Sequence, residues 1–134
     1  MGRLTREQTG AFLDEAHTAI VATIYPDGCP HLSTVWYRWD GAFWIATNRT
    51  TVKYRNLLRD PRITVLVDAP PRETSVVGYG RIEEIARDDA AWEGALAIVS
   101  RYVANAEAYL EARRDDPRVL LRVKPDKLVT WTPD

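Results

Sequence analysis

Cysteine is nearly absent from this chain: Cys29 is the only one in 134 residues. No intramolecular disulfide framework and no cysteine metal site can therefore form, and a reduced, cytoplasmic setting is expected. Histidine is as scarce, and the spacing of His17 and His31 does not suit a metal centre. There is no excess of one charge, with a formal net of −1, which argues against a general nucleic-acid binder or a polybasic membrane-surface protein. No apolar run reaches membrane-spanning length. The polar stretch from Met1 to His17 reads as an amphipathic helix and not as a secretory signal. A nucleophile elbow and a glycine-rich phosphate loop after a strand are missing too. Asp27, Asp40, Asp60 and Asp68 occupy turn or strand-end positions, where carboxylates are structurally useful, so a paired-carboxylate hydrolase is unsupported. With so little acid–base machinery, chemistry would have to come from a bound cofactor.

What remains is an ordinary globular composition, 46% hydrophobic and 28% charged, sized for one domain spanning residues 1–134 with one real core. Five tryptophans and six tyrosines suit core filling, a pocket lining or a subunit interface. Thr5 to Ala16 reads as a helix capped by Thr5, with Phe12, Leu13 and Ala16 on its buried face. Ala19–Tyr25 and His31–Trp39 read as a strand pair around the turn Pro26-Asp27-Gly28. Asp40-Gly41 is a second hairpin turn, leading into a strand over Ala42–Thr47. Beyond a short helix, Arg62–Asp68 alternates as a strand, and a proline-rich loop leads to a long strand over Ser75–Ile85. The period then changes: Trp92, Leu96, Val99 and Val103 mark a helical stripe from Asp88 to Val103, with Asp88 or Asp89 as cap. Asn105–Arg114 continues as helix, and Arg118–Val123 with Lys127–Trp131 closes the chain as two strands or one broken at Pro125. Short meander turns between strands favour a mainly β, antiparallel barrel with flanking helices.

The richest segment is Thr47-Asn48-Arg49-Thr50-Thr51-Val52-Lys53-Tyr54-Arg55-Asn56. It follows a strand, opens a helix, and gathers hydroxyls and bases at the helix start. Unpaired N–H groups and the positive dipole end favour an anion there. Thr50 or Thr51 can cap the helix, Lys53 adds a charge in the first turn, and Asn56 lies on nearly the same side. The segment is either a phosphate seat or a solvated connecting helix rich in arginine. Gly78 and Gly80 bare one face of a strand, through a barrel bend or bulge or for close approach of a partner chain or flat ring.

The runs Ala22-Thr23-Ile24-Tyr25-Pro26-Asp27-Gly28-Cys29-Pro30-His31, Val35-Trp36-Tyr37, Asp40 to Thr47, and Lys53-Tyr54-Arg55-Asn56-Leu57-Leu58-Arg59-Asp60-Pro61-Arg62 resemble the pyridoxamine 5′-phosphate oxidase-like split-barrel superfamily. The pattern is most similar to its flavin/deazaflavin oxidoreductases that use coenzyme F420, and the resemblance covers essentially the whole chain. It implies a homodimer of split β-barrels with cofactor sites at the subunit interface, acting on a small-molecule substrate. By that resemblance Lys53 grips the cofactor phosphate, helped by Thr47, Arg49, Thr51, Arg55 and Asn56. His31 and Ser33 would border the ring system, with Val35 and Trp36 nearby, and the partner subunit would add residues such as Tyr79 and Trp131. The surplus positive charge of Arg49, Arg55, Arg59 and Arg62 would suit F420, whose oligoglutamate tail is anionic. The function implied is hydride transfer from reduced F420 to a small conjugated molecule. A flavin mononucleotide (FMN)-dependent reductase or oxidase and a non-catalytic carrier of F420 or flavin are the alternatives. The terminal arginine-rich pattern of the true oxidases is missing, which argues against vitamin B6 oxidation.

Overall fold

In the computed structural model, which describes residues 2–133, an antiparallel seven-stranded sheet curls into a split barrel. Its strands are β1 (Ala19–Ile24), β2 (Pro30–Val35), β3 (Arg38–Trp39), β4 (Phe43–Asn48), β5 (Arg62–Ala69), β6 (Thr74–Arg87) and β7 (Arg118–Trp131). Four helices flank it: α1 (Arg6–Asp14), α2 (Val52–Arg59), α3 (Asp88–Val99) and α4 (Ala106–Glu111). The spatial order β2-β1-β5-β6-β7-β4-β3 puts β2 and β3 at opposite edges. The single strand expected over His31–Trp39 is therefore two strands joined by a corner at Trp36-Tyr37. That corner bridges the two edges of the curled sheet. Tyr37 pins it, fully buried, its hydroxyl donating to the carbonyls of Leu13 at 2.8 Å and Glu15 at 3.1 Å.

Alternation fills the barrel. Val21, Val65, Val67, Val76, Phe43, Ile45, Val119, Leu121 and Val123 point inward and are buried. The Gly78–Gly80 stretch serves the bend. A Cβ on Gly80 would lie 2.6 Å from the Lys124 carbonyl oxygen, and one on Gly78 would lie 2.9 Å from the Phe43 ring. The β6–β7 register shifts there, opposite Pro125, so β7 runs through the proline as one bulged strand; Gly78 is buried, and Gly80 lines an open cleft with Tyr79 and Arg81.

Other expectations need correction. Ala16 lies beyond the end of α1 and is exposed. The α3 stripe is Ala91, Ala95, Ile98 and Val99, because small residues let α3 sit close on the sheet; Trp92 and Leu96 are half-buried. Neither Asp88 nor Asp89 caps α3, since Arg87 stands at the cap without a side-chain bond. No helix among the described residues is long and apolar enough to cross a membrane.

Candidate functional site

Where β4 ends, Asn48 organises a tight turn by accepting from the Thr50 backbone at 3.1 Å. That leaves Thr51, not Thr50, as the cap of α2. The Thr51 hydroxyl accepts from Tyr54 N at 3.3 Å and donates to the Asn48 carbonyl at 3.0 Å. The Thr47 hydroxyl, 3.2 Å from that of Thr51, must then be the donor of this pair. No acidic residue stands in the first turn of α2, so its dipole is uncompensated.

Lys53, half-buried, lines a cleft of about 250 Å³ with Val35, Trp36, Thr47, Asn48, Tyr109, Arg113, Asp116 and Arg118. Burial pushes its ammonium pKa down, because a charge in a poorly solvated place is disfavoured unless an anion joins it. One wall is aromatic: Trp36 stacks on Tyr102 with centroids 4.8 Å apart, and Tyr109 tilts against it at 5.6 Å. The Arg113 guanidinium lies 3.7 Å from the Tyr109 ring centroid.

A second cleft, of about 200 Å³, shares Asp116 and Arg118 with the first, and its walls carry the four arginines Arg49, Arg87, Arg114 and Arg118. Trp92, Asp88 and Asp116 complete it. Arg118 has a side chain only 12% exposed and its nearest carboxylate, on Asp116, is 3.9 Å away. Arg87 donates to the Tyr54 hydroxyl at 2.7 Å. Arg49 forms no ion pair among the described residues. Asp88 holds φ of 57°, a left-handed conformation costly for a non-glycine residue, right at this cleft.

Val35, Trp36, Thr47, Thr51 and Lys53 are thus brought together, and Arg49 stands in the adjoining cleft. His31 and Ser33 lie on the inner face of edge strand β2, in line with Val35 and opposite Thr23 and Val21. His31 Nδ1 and Ser33 Oγ are buried without a hydrogen-bond partner among the described residues. Leaving such atoms unpaired costs on the order of 1–3 kcal/mol each, and the polar edge of a ligand could pair with both.

Two residues expected at the cofactor phosphate, Asn56 and Arg55, are placed elsewhere. Asn56 is buried, donating to the Thr23 hydroxyl at 3.1 Å and accepting from Arg59 at 3.3 Å, so it ties α2 to β1. Arg55 is exposed and lines neither cleft. The surplus positive charge does not come from Arg59 and Arg62 either. Arg59 bonds the Ile24 carbonyl and Arg62 chelates Asp60, whose carboxyl it holds down at about 2. Tyr79 and Trp131 lie on the outer face of the sheet, away from both clefts. Tyr109, Arg113, Arg87, Arg114 and Arg118 were missed. The Arg113-Arg114 pair ahead of Asp116-Pro117-Arg118 was the available signal, since it repeats the Asp-Pro-Arg ending of α2.

That outer face carries an apolar patch. Five of the six exposed large hydrophobics among the described residues (Ile20, Leu32, Tyr79, Val129 and Trp131, with Leu58 the exception) lie on it. Ile20, Leu66, Val77 and Val129 form one row across β1, β5, β6 and β7. Among the described residues no cluster of His, Cys, Asp and Glu could hold a metal.

The sequence profile of the pyridoxamine 5′-phosphate oxidase family matches residues 5–132. Among solved structures, a conserved hypothetical protein from Mycobacterium tuberculosis superposes with a TM-score of 0.80 at 27% identity, over 96% of this chain and 85% of that one. An F420 reductase superposes with a TM-score of 0.72 at 24% identity, over 88% of this chain and 93% of that one. A heme-binding protein from Mycobacterium smegmatis gives 0.70 at 19%, over 98% and 60%. The last two likenesses speak for the fold.

Proposed function

Because the chain belongs to the pyridoxamine 5′-phosphate oxidase family, we propose that it is an oxidoreductase that holds coenzyme F420 in the Lys53 cleft and reduces a small conjugated molecule. The observation that carries this reading is the adjacency of two clefts that share Asp116 and Arg118, one with a desolvated lysine at a helix start and one walled by four arginines. A phosphate-bearing cofactor with an acidic tail has charge for both, whereas FMN, which ends at its phosphate, has charge for the first alone.

Each residue then has a physical task. Lys53 supplies a full charge, and the Thr47 and Thr51 hydroxyls and the exposed N–H groups of α2 supply oriented dipoles. His31 Nδ1 and Ser33 Oγ offer hydrogen bonds to the polar edge of a ring system, gaining partners they otherwise lack. Trp36 and Tyr109 give the apolar wall that keeps water from the reacting face. The bound deazaflavin would supply the hydride. The protein supplies position and a preorganised field.

The outer face of β1, β5, β6 and β7 is the homodimer interface in this reading. A contiguous apolar face of this kind is what a permanent interface buries, and it would take Tyr79 and Trp131 to the partner's site.

The test is a pair of titrations, F420 and FMN, followed by quenching of tryptophan fluorescence, for which Trp36 is the reporter in the cleft. Tight F420 binding with weak FMN binding is expected. The reverse preference overturns the deazaflavin assignment, and binding of neither overturns the cofactor site.

A further inference from the structure

A groove of about 800 Å³ lies away from both clefts, between α1, the β3–β4 turn and the second half of β7. Its volume falls within the range typical of small-molecule sites. Its floor is apolar, made by Leu4, Trp39 and Leu128, which pack on the edge of the barrel core. Its rim is cationic. Arg3, Arg6 and Lys127 line it against the single carboxylate of Asp126, and none of the three cations forms an ion pair or a side-chain hydrogen bond among the described residues. From Pro125 to Thr130 the strand bordering the groove runs on the order of 17 Å at the usual rise per residue.

Gly10 is the second observation. It sits inside α1 and faces this groove, where a glycine weakens the helix relative to alanine. Neither packing nor backbone geometry requires it. A Cβ there would meet nothing within 4 Å, and its φ is not among the positive ones. What the missing side chain does is leave the groove open.

We propose that this groove is a binding site for an amphipathic carboxylate: an apolar chain on Leu4, Trp39 and Leu128, its head group held by Arg3, Arg6 and Lys127. Neutral lipids lack the charge that the rim asks for, and free phosphate lacks the apolar body that the floor asks for. The site goes beyond the cofactor reading and does not depend on it.

The probe is dodecanoate, titrated calorimetrically below its micelle concentration into the whole protein. Saturable binding at one site per chain is expected, with affinity falling as the chain is shortened, by up to about fourfold per methylene removed. Dodecyltrimethylammonium, with the same tail and the opposite charge, is expected not to bind. A Cβ at Gly10 meets nothing within 4 Å, so the variant Gly10→Phe places a ring at the groove from an unobstructed position. It is expected to weaken dodecanoate by at least about tenfold with no fall in melting temperature and unchanged F420 and FMN titrations. Arg3→Glu with Arg6→Glu is expected to weaken it by about tenfold while leaving the fold intact. Dodecanoate binding that is equal in Gly10→Phe, or equal for the cationic amphiphile, or absent in the unaltered protein, would overturn the proposal. A failed cofactor titration beside intact dodecanoate binding would count against the cofactor reading alone.

Discussion

Replacing Lys53 by methionine separates a ligand-binding lysine from a structural one, because the two roles predict changes of opposite sign. In the free protein the ammonium is half-buried, its pKa is lowered by desolvation, and it stands in the first turn of α2 with no acidic neighbour there. A cation at that end opposes the macrodipole by about 0.3–1 kcal/mol. Lys53→Met keeps the apolar stem and removes the charge, so the free protein should be as stable or up to about 1 kcal/mol more stable, a few degrees in Tm for a chain of this size. Binding should suffer instead. A charged hydrogen bond contributes about 1.5–3 kcal/mol, so the dissociation constant should rise roughly tenfold to a hundredfold or slightly more. Thermal melts and fluorescence titrations on the same preparation read both. The reasoning fails if affinity stays within about twofold or if the free variant is clearly less stable.

The pH dependence fixes the sign independently. The folded pKa of Lys53 lies below its unfolded value, so this group costs stability at neutral pH. It costs progressively less as pH rises from the folded pKa toward the unfolded one, about 10.4. An anion in the cleft raises the pKa again. Binding in alkaline buffer should therefore take up a proton, visible as a dependence of calorimetric heat on buffer ionisation, and Lys53→Met should lose that dependence.

Three further outcomes are expected. Ile20→Glu puts a carboxylate in the middle of the apolar outer face and should turn the proposed homodimer into a monomer by light scattering; an unchanged dimeric mass would place the interface elsewhere, and a monomeric unaltered protein would refute the homodimer. Asn56→Ala leaves the buried Thr23 hydroxyl without its 3.1 Å partner, so urea unfolding should show a loss of about 1–3 kcal/mol while cofactor affinity stays within about twofold. A large affinity loss at full stability would return Asn56 to the binding site. The Arg72 hydrogen bond holds the Glu15 carboxyl below its usual pKa, so its contribution is present above the unfolded carboxylate value, about 4.3, and lost as pH falls through the folded one. Arg72→Gln should lower stability by no more than about 1 kcal/mol above that window and less below it, apart from a pH-independent offset from the lost Arg72–Phe12 contact. A loss that grows on acidification would refute this.

Much was legible because local physics wrote it. The α2 start was readable from hydroxyls and a lysine at a strand end, since capping and dipole effects act within one turn. Period-two alternation gave the inward face of β5, and Asp60-Pro61 gave the helix stop. Residues three apart on a helix looked like one site in Lys53 and Asn56, yet α2 lies against β1, so the sheet captures Asn56 and leaves Lys53 in the open cleft. The surplus arginines were read as one local cluster. Arg59 and Arg62 were instead bound to their own neighbours, and the arginine cleft drew on β6, the turn after α4, and β7.

The sequence by itself determined what depends on neighbours along the chain: the alternation of β5, the Thr5 cap of α1, turns, a chemistry without cysteine or histidine clusters, and the anion-favouring helix start. Only the tertiary structure decided the corner at Trp36-Tyr37, which sends consecutive strands to opposite edges of one sheet, and the meeting of Lys53 with Tyr109, Arg113 and Arg118. Those depend on the curl of the sheet, an outcome of packing the whole core, and no window of local sequence contains the distances that closure brings together.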